Sequence, residues 1–292
     1  VAFIIAVFIS EAGIFFCAQQ AIIGTEKISL MAIPFFVCAG IFMNYTGVTK
    51  RIMDFCEVVT GRLPGGLAQV NVLLSTVMGG LSGSNIADAA MESKMMVPEM
   101  TKKGFSLEFS SVVTAASSMI TPLIPPGIAM ILYGCIANVS IGKLFISGFG
   151  VGGLLCVSMM ILVGVISKKR GYGLLTTEKL TWSKFWTALK PAILPLLLPI
   201  IIIGGIRIGI FTATEAGAVA ILYAAFLGFI YHEMHIKDMI QGLKETVCTT
   251  ASIMLIVSAA SVFSWILTKE RIPQALTAWM LANIHSKYVF LI

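Results

Sequence analysis

Apolar runs long enough to cross a bilayer recur along almost the whole chain, and a spanning helix needs about 20 mostly apolar residues. They cover 1–23, 30–43 extended toward Val59, 144–166, 188–206, 216–231, 246–267 and 275–292. Hydrophobic residues make up 58% of the chain and charged ones 12%, against roughly 45–50% and about 25% in soluble domains. The sequence therefore predicts an all-α polytopic membrane protein. Both ends lie inside apolar runs, so the chain reads as part of a longer protein. The first run lacks the basic leader and the small-residue cleavage site of a signal peptide.

The six cysteines stand singly in apolar surroundings, and no C-x-x-C pair or Cys/His cluster points to a metal or a disulfide framework. A net charge of +6 does not indicate nucleic acid, because the basic residues sit in short loops without interleaved aromatics. The positive-inside rule accounts for them. The densest basic loop holds Lys168, Lys169, Arg170, Lys179, Lys184 and Lys190 and is placed in the cytoplasm. Lys50, Arg51 and Arg62 form a second cytoplasmic cluster, and Lys102 and Lys103 follow by parity.

That parity returns the segment 63–100 to the side it started from. Its arms, 67–80 and 87–100, are about 21 Å long at 1.5 Å per residue. Neither crosses a hydrocarbon core of about 30 Å. A re-entrant hairpin fits both length and charge, with two tilted spans as the alternative. Its tip reads GGLSGSNIADAAM from Gly79 to Met91. Irregular backbone at membrane depth is tolerated only inside protein or beside a water-filled cavity, so the tip is expected to line a site.

A second interruption, SSMITPLIPPG at 117–127, lies in a run that must cross the membrane. Pro122, Pro125 and Pro126 remove three backbone donors and free nearby carbonyls. Transporters use such broken helices near the midplane, with carbonyls holding cations and helix N-termini facing anions. A purely structural kink is the alternative. A hard cation takes oxygen ligands. Ser82, Ser84 and Asn85 offer side-chain oxygens, Gly80 and Gly83 permit a tight turn, and Thr121 with the carbonyls before Pro125 and Pro126 supplies a facing jaw. Each serine is alternatively a cap of the second arm. Asp88 is an expensive intramembrane carboxylate, suited to organising the tip, with direct ligation ranked second. Glu92 and Lys94 read as the wet side of the hairpin.

Glu215, behind Thr212 and Thr214, suits a helix N-terminus. Arg207 is an interfacial anchor or an attractant for a substrate carboxylate. GLSG at 80–83 also matches the G-x-S-G turn of rhomboid intramembrane proteases, but Ser82 would need a histidine base. His232 and His235 lie in a basic loop and His285 in a polar patch near the end.

These residues resemble the large membrane subunit of tripartite ATP-independent periplasmic (TRAP) transporters, the DctM-like family. The resemblance is carried by AIPFFVCAGIFMNYTGVTKRI at 32–52, GRLPGGLAQVNV at 61–72, GGLSGSNIADAA at the tip, PLIPPGIAMILYG at 122–134, SIGKLFISG at 140–148 and GGIRIGIFTATEAGAVAILYA at 204–224. It implies an elevator-type transporter with two inverted repeats, each carrying a re-entrant helical hairpin and a broken helix. It also implies sodium-driven import of an organic acid across the bacterial inner membrane. A periplasmic binding protein delivers substrate and a small four-helix membrane subunit joins the scaffold.

On that resemblance, 1–62 are N-terminal scaffold helices and 63–137 the first hairpin and broken helix. Residues 138–190 then form a span and the basic loop, and 191–292 open a second repeat whose hairpin is expected beyond Ile292. The sodium ligands expected are Ser82, Gly83, Ser84, Asn85, Thr121 and Gly127, with Asp88, Pro125, Pro126, Thr214 and Glu215 organising tip and substrate. No other cofactor or metal is expected, and no enzyme activity. A sodium-coupled symporter without a binding protein is the alternative. The sequence departs from the family's pattern with PPG for PPS at Gly127, Ala213 for proline, and Asn85 where a small residue or serine is usual.

Overall fold

A computed structural model describes residues 14–176 and 181–283. Lys179 and His285 lie outside the described residues, as do the outer parts of the first and last apolar runs. The described residues are helical and contain no strand. In chain order the helices are α1 (Ile14–Ile23), α2 (Ala32–Tyr45), α3 (Val48–Thr60), α4 (Gly66–Ser82), α5 (Asn85–Lys102), α6 (Leu107–Ser117), α7 (Ile128–Ala137), α8 (Ile141–Arg170), α9 (Trp182–Ile208), α10 (Ala213–Ile230), α11 (Ile236–Lys269) and α12 (Ile272–Asn283). Short 3₁₀ turns occupy Ile28–Met31 and Thr121–Leu123.

Among the described residues, five stretches are long and apolar enough to cross a membrane: Ile28–Tyr45, Ile141–Arg170, Trp182–Ile208, Ala213–Ile230 and Ile236–Lys269. Leu107–Leu123 and Ile128–Ala137 meet that test when taken as one span, bent by 42° at the predicted proline break. The chain is thus a multi-pass membrane protein. One expected run is corrected. The apolar stretch from residue 30 does not continue toward Val59, because Gly47 takes the left-handed conformation at φ 65° and separates α2 from α3. Helix α3 carries Lys50, Arg51, Asp54 and Glu57, and Arg51 packs 3.9 Å above the Tyr231 ring.

The chain divides into two compact units, 1–28 with 249–292, and 29–248. In the first, Cys17 is buried against Val262 and Ile266, and the Ser258 hydroxyl donates to the Ala21 carbonyl at 3.1 Å. In the second, α4 is the central element, buried along nearly its whole length and packed against α2, α3, α5, α6 and α8. A helix apolar all round belongs inside other protein. The arms α4 and α5 have 17 and 18 residues, about 25–27 Å at 1.5 Å per residue. They run antiparallel, since Ser82 meets Asp88 at the tip and Ser75 meets Glu92 below it.

Helix α9 contains Pro191, Pro195 and Pro199. Pro195 lacks the N–H that would bond the Pro191 carbonyl, four residues back. The Tyr231 hydroxyl donates to that carbonyl at 2.9 Å, and Tyr223 donates to Leu194 at 2.7 Å. Tyr231→Phe is expected to destabilise the fold by about 1 kcal/mol, the net worth of one hydrogen bond, read as a lowered unfolding temperature in detergent.

Gly83 and Gly171 both take left-handed backbone, at φ 61° and φ 72°. A Cβ at Gly83 would stand 2.5 Å from the Pro126 carbonyl oxygen, whereas one at Gly171 would meet nothing within 4 Å. Gly171→Ala is therefore expected to cost only the left-handed penalty of about 1–2 kcal/mol. Gly83→Ala should cost clearly more, which a side-by-side thermal melt of the two variants measures.

Candidate functional site

Glycines line the end of α4 where it meets the break between α6 and α7, and two of them face a carbonyl there. A Cβ at Gly79 would lie 2.8 Å from the Thr121 oxygen and one at Gly83 2.5 Å from that of Pro126, while one at Gly80 would press on the Pro199 ring at 3.0 Å. On the other side of the tip, a Cβ at Gly40 of α2 would lie 2.6 Å from the Ser82 carbonyl oxygen. Only glycine lets backbone approach this closely. The Ile128 N–H donates to the Gly83 carbonyl at 3.4 Å, which joins tip to broken helix directly. The hairpin tip and the proline segment thus lie against each other, as the sequence predicts.

Pro125 and Pro126, joined by a cis peptide bond, have no N–H to give. The turn Thr121–Leu123 closes with Ile124 donating to the Thr121 carbonyl at 3.2 Å. Among the described residues no donor reaches the Pro122 carbonyl. A Cβ at Gly127 would collide with that same oxygen. This explains why the position holds glycine: in this backbone geometry a serine there would not fit.

Asp88 is fully buried one turn into α5. The Ser82 hydroxyl donates to its Oδ2 at 2.7 Å, and the carboxylate also faces the Thr121 hydroxyl. Its Oδ1 is buried without a hydrogen-bond partner. Thr121, itself fully buried, donates to the Ser75 carbonyl at 3.2 Å. Ser84 is half-buried and caps α5, its Oγ 3.5 Å from the Ala87 amide. Asn85 is exposed at the start of α5. The inward oxygens of the tip are therefore those of Ser82, Asp88 and Thr121, together with carbonyls of the break.

Thr214 and Glu215 are not among these residues. Glu215 is exposed and closes a capping box at the start of α10: its Oε2 accepts from the Thr212 amide at 2.7 Å, and its own amide donates to Thr212 Oγ1 at 3.3 Å. Arg207 is exposed at the end of α9. His232 and His235 are exposed as well, and the group paired with Ser82 is a carboxylate. Glu92 corrects the sequence reading. It is fully buried, and the Ser75 hydroxyl donates to it at 2.6 Å. Asp88, Glu92, Met96 and Met100 are all buried at four-residue spacing on one face of α5, and that spacing is the signal that places Glu92 inside.

The whole chain, residues 1–292, matches the model of the family described as tripartite ATP-independent periplasmic transporter, DctM component. It is 40% identical over 284 residues to the sialic acid TRAP transporter large permease protein SiaM of Vibrio cholerae, covering 97% of this chain and 66% of that protein. It is 34% identical over 269 residues to the C4-dicarboxylate TRAP transporter large permease protein DctM of Pseudomonas aeruginosa, covering 92% and 62%. With the ectoine TRAP transporter large permease protein TeaC of Halomonas elongata it shares 37% over 259 residues, covering 88% and 60%. The chain spans about two thirds of the length of such relatives. These relatives are named as permease subunits of transporters, not as enzymes. With a match along its full length and several relatives above 30% identity, the chain belongs to the DctM component family of TRAP transporters.

Proposed function

We propose that this chain is the core of the large permease subunit of a sodium-coupled importer of organic acids, and that sodium is clasped between the hairpin tip and the broken helix. The observation that carries the reading is Asp88: a fully buried carboxylate whose Oδ1 has no hydrogen-bond partner. It stands beside Ser82 and Thr121, next to a proline-broken segment whose Pro122 carbonyl has no donor. Buried ionised groups are retained in membranes mainly for ion or substrate pathways, and oxygen-only donors suit a hard cation. Ser82, Thr121, Asp88 and the carbonyls around Gly83 and Gly127 would hold the ion. Ser84 shapes the tip as a cap, and Asn85 lies at its mouth.

Several supports bear on the wider reading. Relatives are named for sialic acid, C4-dicarboxylates and ectoine, molecules that share a carboxylate. An organic acid is therefore the substrate class, and sodium offsets part of its charge during passage. Arms of 17 and 18 residues suit a hairpin that enters and returns, since a core of about 30 Å exceeds their reach. The family's description as tripartite and periplasmic supports a soluble binding protein and a small membrane subunit as partners, and residence in the bacterial inner membrane. A hairpin and broken helix that move together as an elevator against the remaining helices, with an inverted second repeat, complete the proposal.

Sodium that orders the tip also prepares the substrate site, so each strengthens the other's binding reciprocally. The test is uptake by the full-length protein with its partners in proteoliposomes. Ser82→Ala and Thr121→Ala are each expected to raise the sodium concentration for half-maximal uptake by about ten- to hundredfold, since removing one hydrogen-bonding group at a charged site costs roughly 1.5–3 kcal/mol. Unchanged sodium dependence in both variants would remove the tip as the sodium site.

A further inference from the structure

The hairpin buries a second carboxylate that the tip site does not use. Glu92 lies one turn below Asp88 on α5, fully buried, and its Oε1 has no hydrogen-bond partner. No lysine, arginine or histidine forms an ion pair with Asp88 or Glu92 among the described residues. Two carboxylates in one helical hairpin, without a basic partner, would when both ionised place two negative charges in a low-dielectric interior, where isolated ions are strongly disfavoured. A single sodium at the tip would balance one of them.

Facing Glu92 on α4 is an oxygen-bearing surface. Ser75 Oγ lies 2.6 Å from Glu92 Oε2 and 3.1 Å from the Asn71 carbonyl. Asn71, one turn below Ser75, is also fully buried. Its Nδ2 donates to Thr114 Oγ1 at 2.7 Å and lies 3.9 Å from Met100 Sδ, and its Oδ1 has no partner. Residues four apart on a helix have Cβ atoms about 5–6 Å apart. Asn71 and Ser75 thus lie one turn apart on α4, and two buried oxygens with no donor, Glu92 Oε1 and Asn71 Oδ1, belong to the two residues that Ser75 Oγ bonds. Thr114 Oγ1 of α6 closes it, donating its own proton to Ser110 at 2.9 Å and so keeping a lone pair inward.

We propose that Glu92, Asn71, Ser75 and Thr114 form a second monovalent-cation site, distinct from the tip, and that sodium occupies it. The Ser75 carbonyl, which accepts the Thr121 hydroxyl, links the two sites through two hydrogen-bonded residues. Filling one site would then favour filling the other. The inference rests on the reading of the hairpin as a sodium-binding element, but its residues are separate from those of the tip.

The test is equilibrium binding of ²²Na⁺ to the purified full-length protein in lipid nanodiscs, compared across variants. Glu92→Gln, nearly isosteric, is expected to lower bound sodium by one ion per chain and to leave the ion lost in Ser82→Ala in place. Asn71→Leu should weaken the same ion by about tenfold or more, which guards against an effect of Glu92→Gln on folding. An unchanged count in both variants, with Ser82→Ala still losing one ion, overturns the second site and leaves the tip intact. An infrared band of a protonated carboxylic acid, lost in Glu92→Gln with no change in sodium, also overturns it and assigns a proton to Glu92. If Ser82→Ala loses no ion while Glu92→Gln does, the tip reading fails and the second site stands.

Discussion

Close backbone approach between the hairpin tip and the broken helix is the contact on which the rest of the second unit depends. Gly79 and Gly83 lack the atoms that would hold Thr121 and Pro126 away. The packing therefore brings carbonyl oxygens, not methyl groups, to the end of α4. A seam of this kind is costly in apolar surroundings unless its polar groups find partners. The Ile128 amide satisfies Gly83, and Ser82 and Thr121 turn their hydroxyls onto Asp88 and Ser75. The polar column from Asp88 down to Asn71 exists because the glycines admit it. Larger residues at the tip would separate the two segments and leave Asp88 facing a void.

Much of this was legible in the chain because glycine and proline set the boundaries. The expected arms, 67–80 and 87–100, differ from α4 and α5 by one or two residues at each end. Gly65 and Gly83, both left-handed, are where α4 begins and stops. The bend at Pro122–Gly127 and the capping box formed by Thr212 and Glu215 also follow from local chemistry. Two things were not local. Whether residues 30–59 form one helix turns on Gly47, whose left-handed backbone parts the apolar α2 from the charged α3. Which tip oxygens point inward depends on Gly40 and the broken helix, elements distant in sequence. Ser84 and Asn85 therefore looked equivalent to Ser82, although one caps and the other is exposed.

Glu92 shows how a local reading goes astray. Beside Lys94, near the foot of a short arm, a glutamate reads as solvated, and most glutamates are. The face it shares with Asp88, Met96 and Met100 is visible only when the helix is wound at four-residue spacing. The Ser75 partner then explains how a carboxylate is tolerated there, though one hydroxyl does not neutralise it. Burial without a basic partner separates Glu92 from a structural ion pair such as Lys102 with Glu99, which is exposed at 2.8 Å and worth at most about 1 kcal/mol.

Proline does opposite work at two places in the same unit. In α9 it frees the Pro191 carbonyl, and the Tyr231 hydroxyl takes it; the helix remains continuous and the polarity is closed off. Between α6 and α7 the residue four places after Pro122 is Pro126, which has no N–H to give its carbonyl, and the helix breaks. The tyrosines of α10 could supply a donor to α9 because the two helices pack side by side. At the break the hydroxyls of Ser82 and Thr121 are already turned onto Asp88 and the Ser75 carbonyl. The same residue type thus leaves α9 a continuous helix and bends the chain by 42° between α6 and α7.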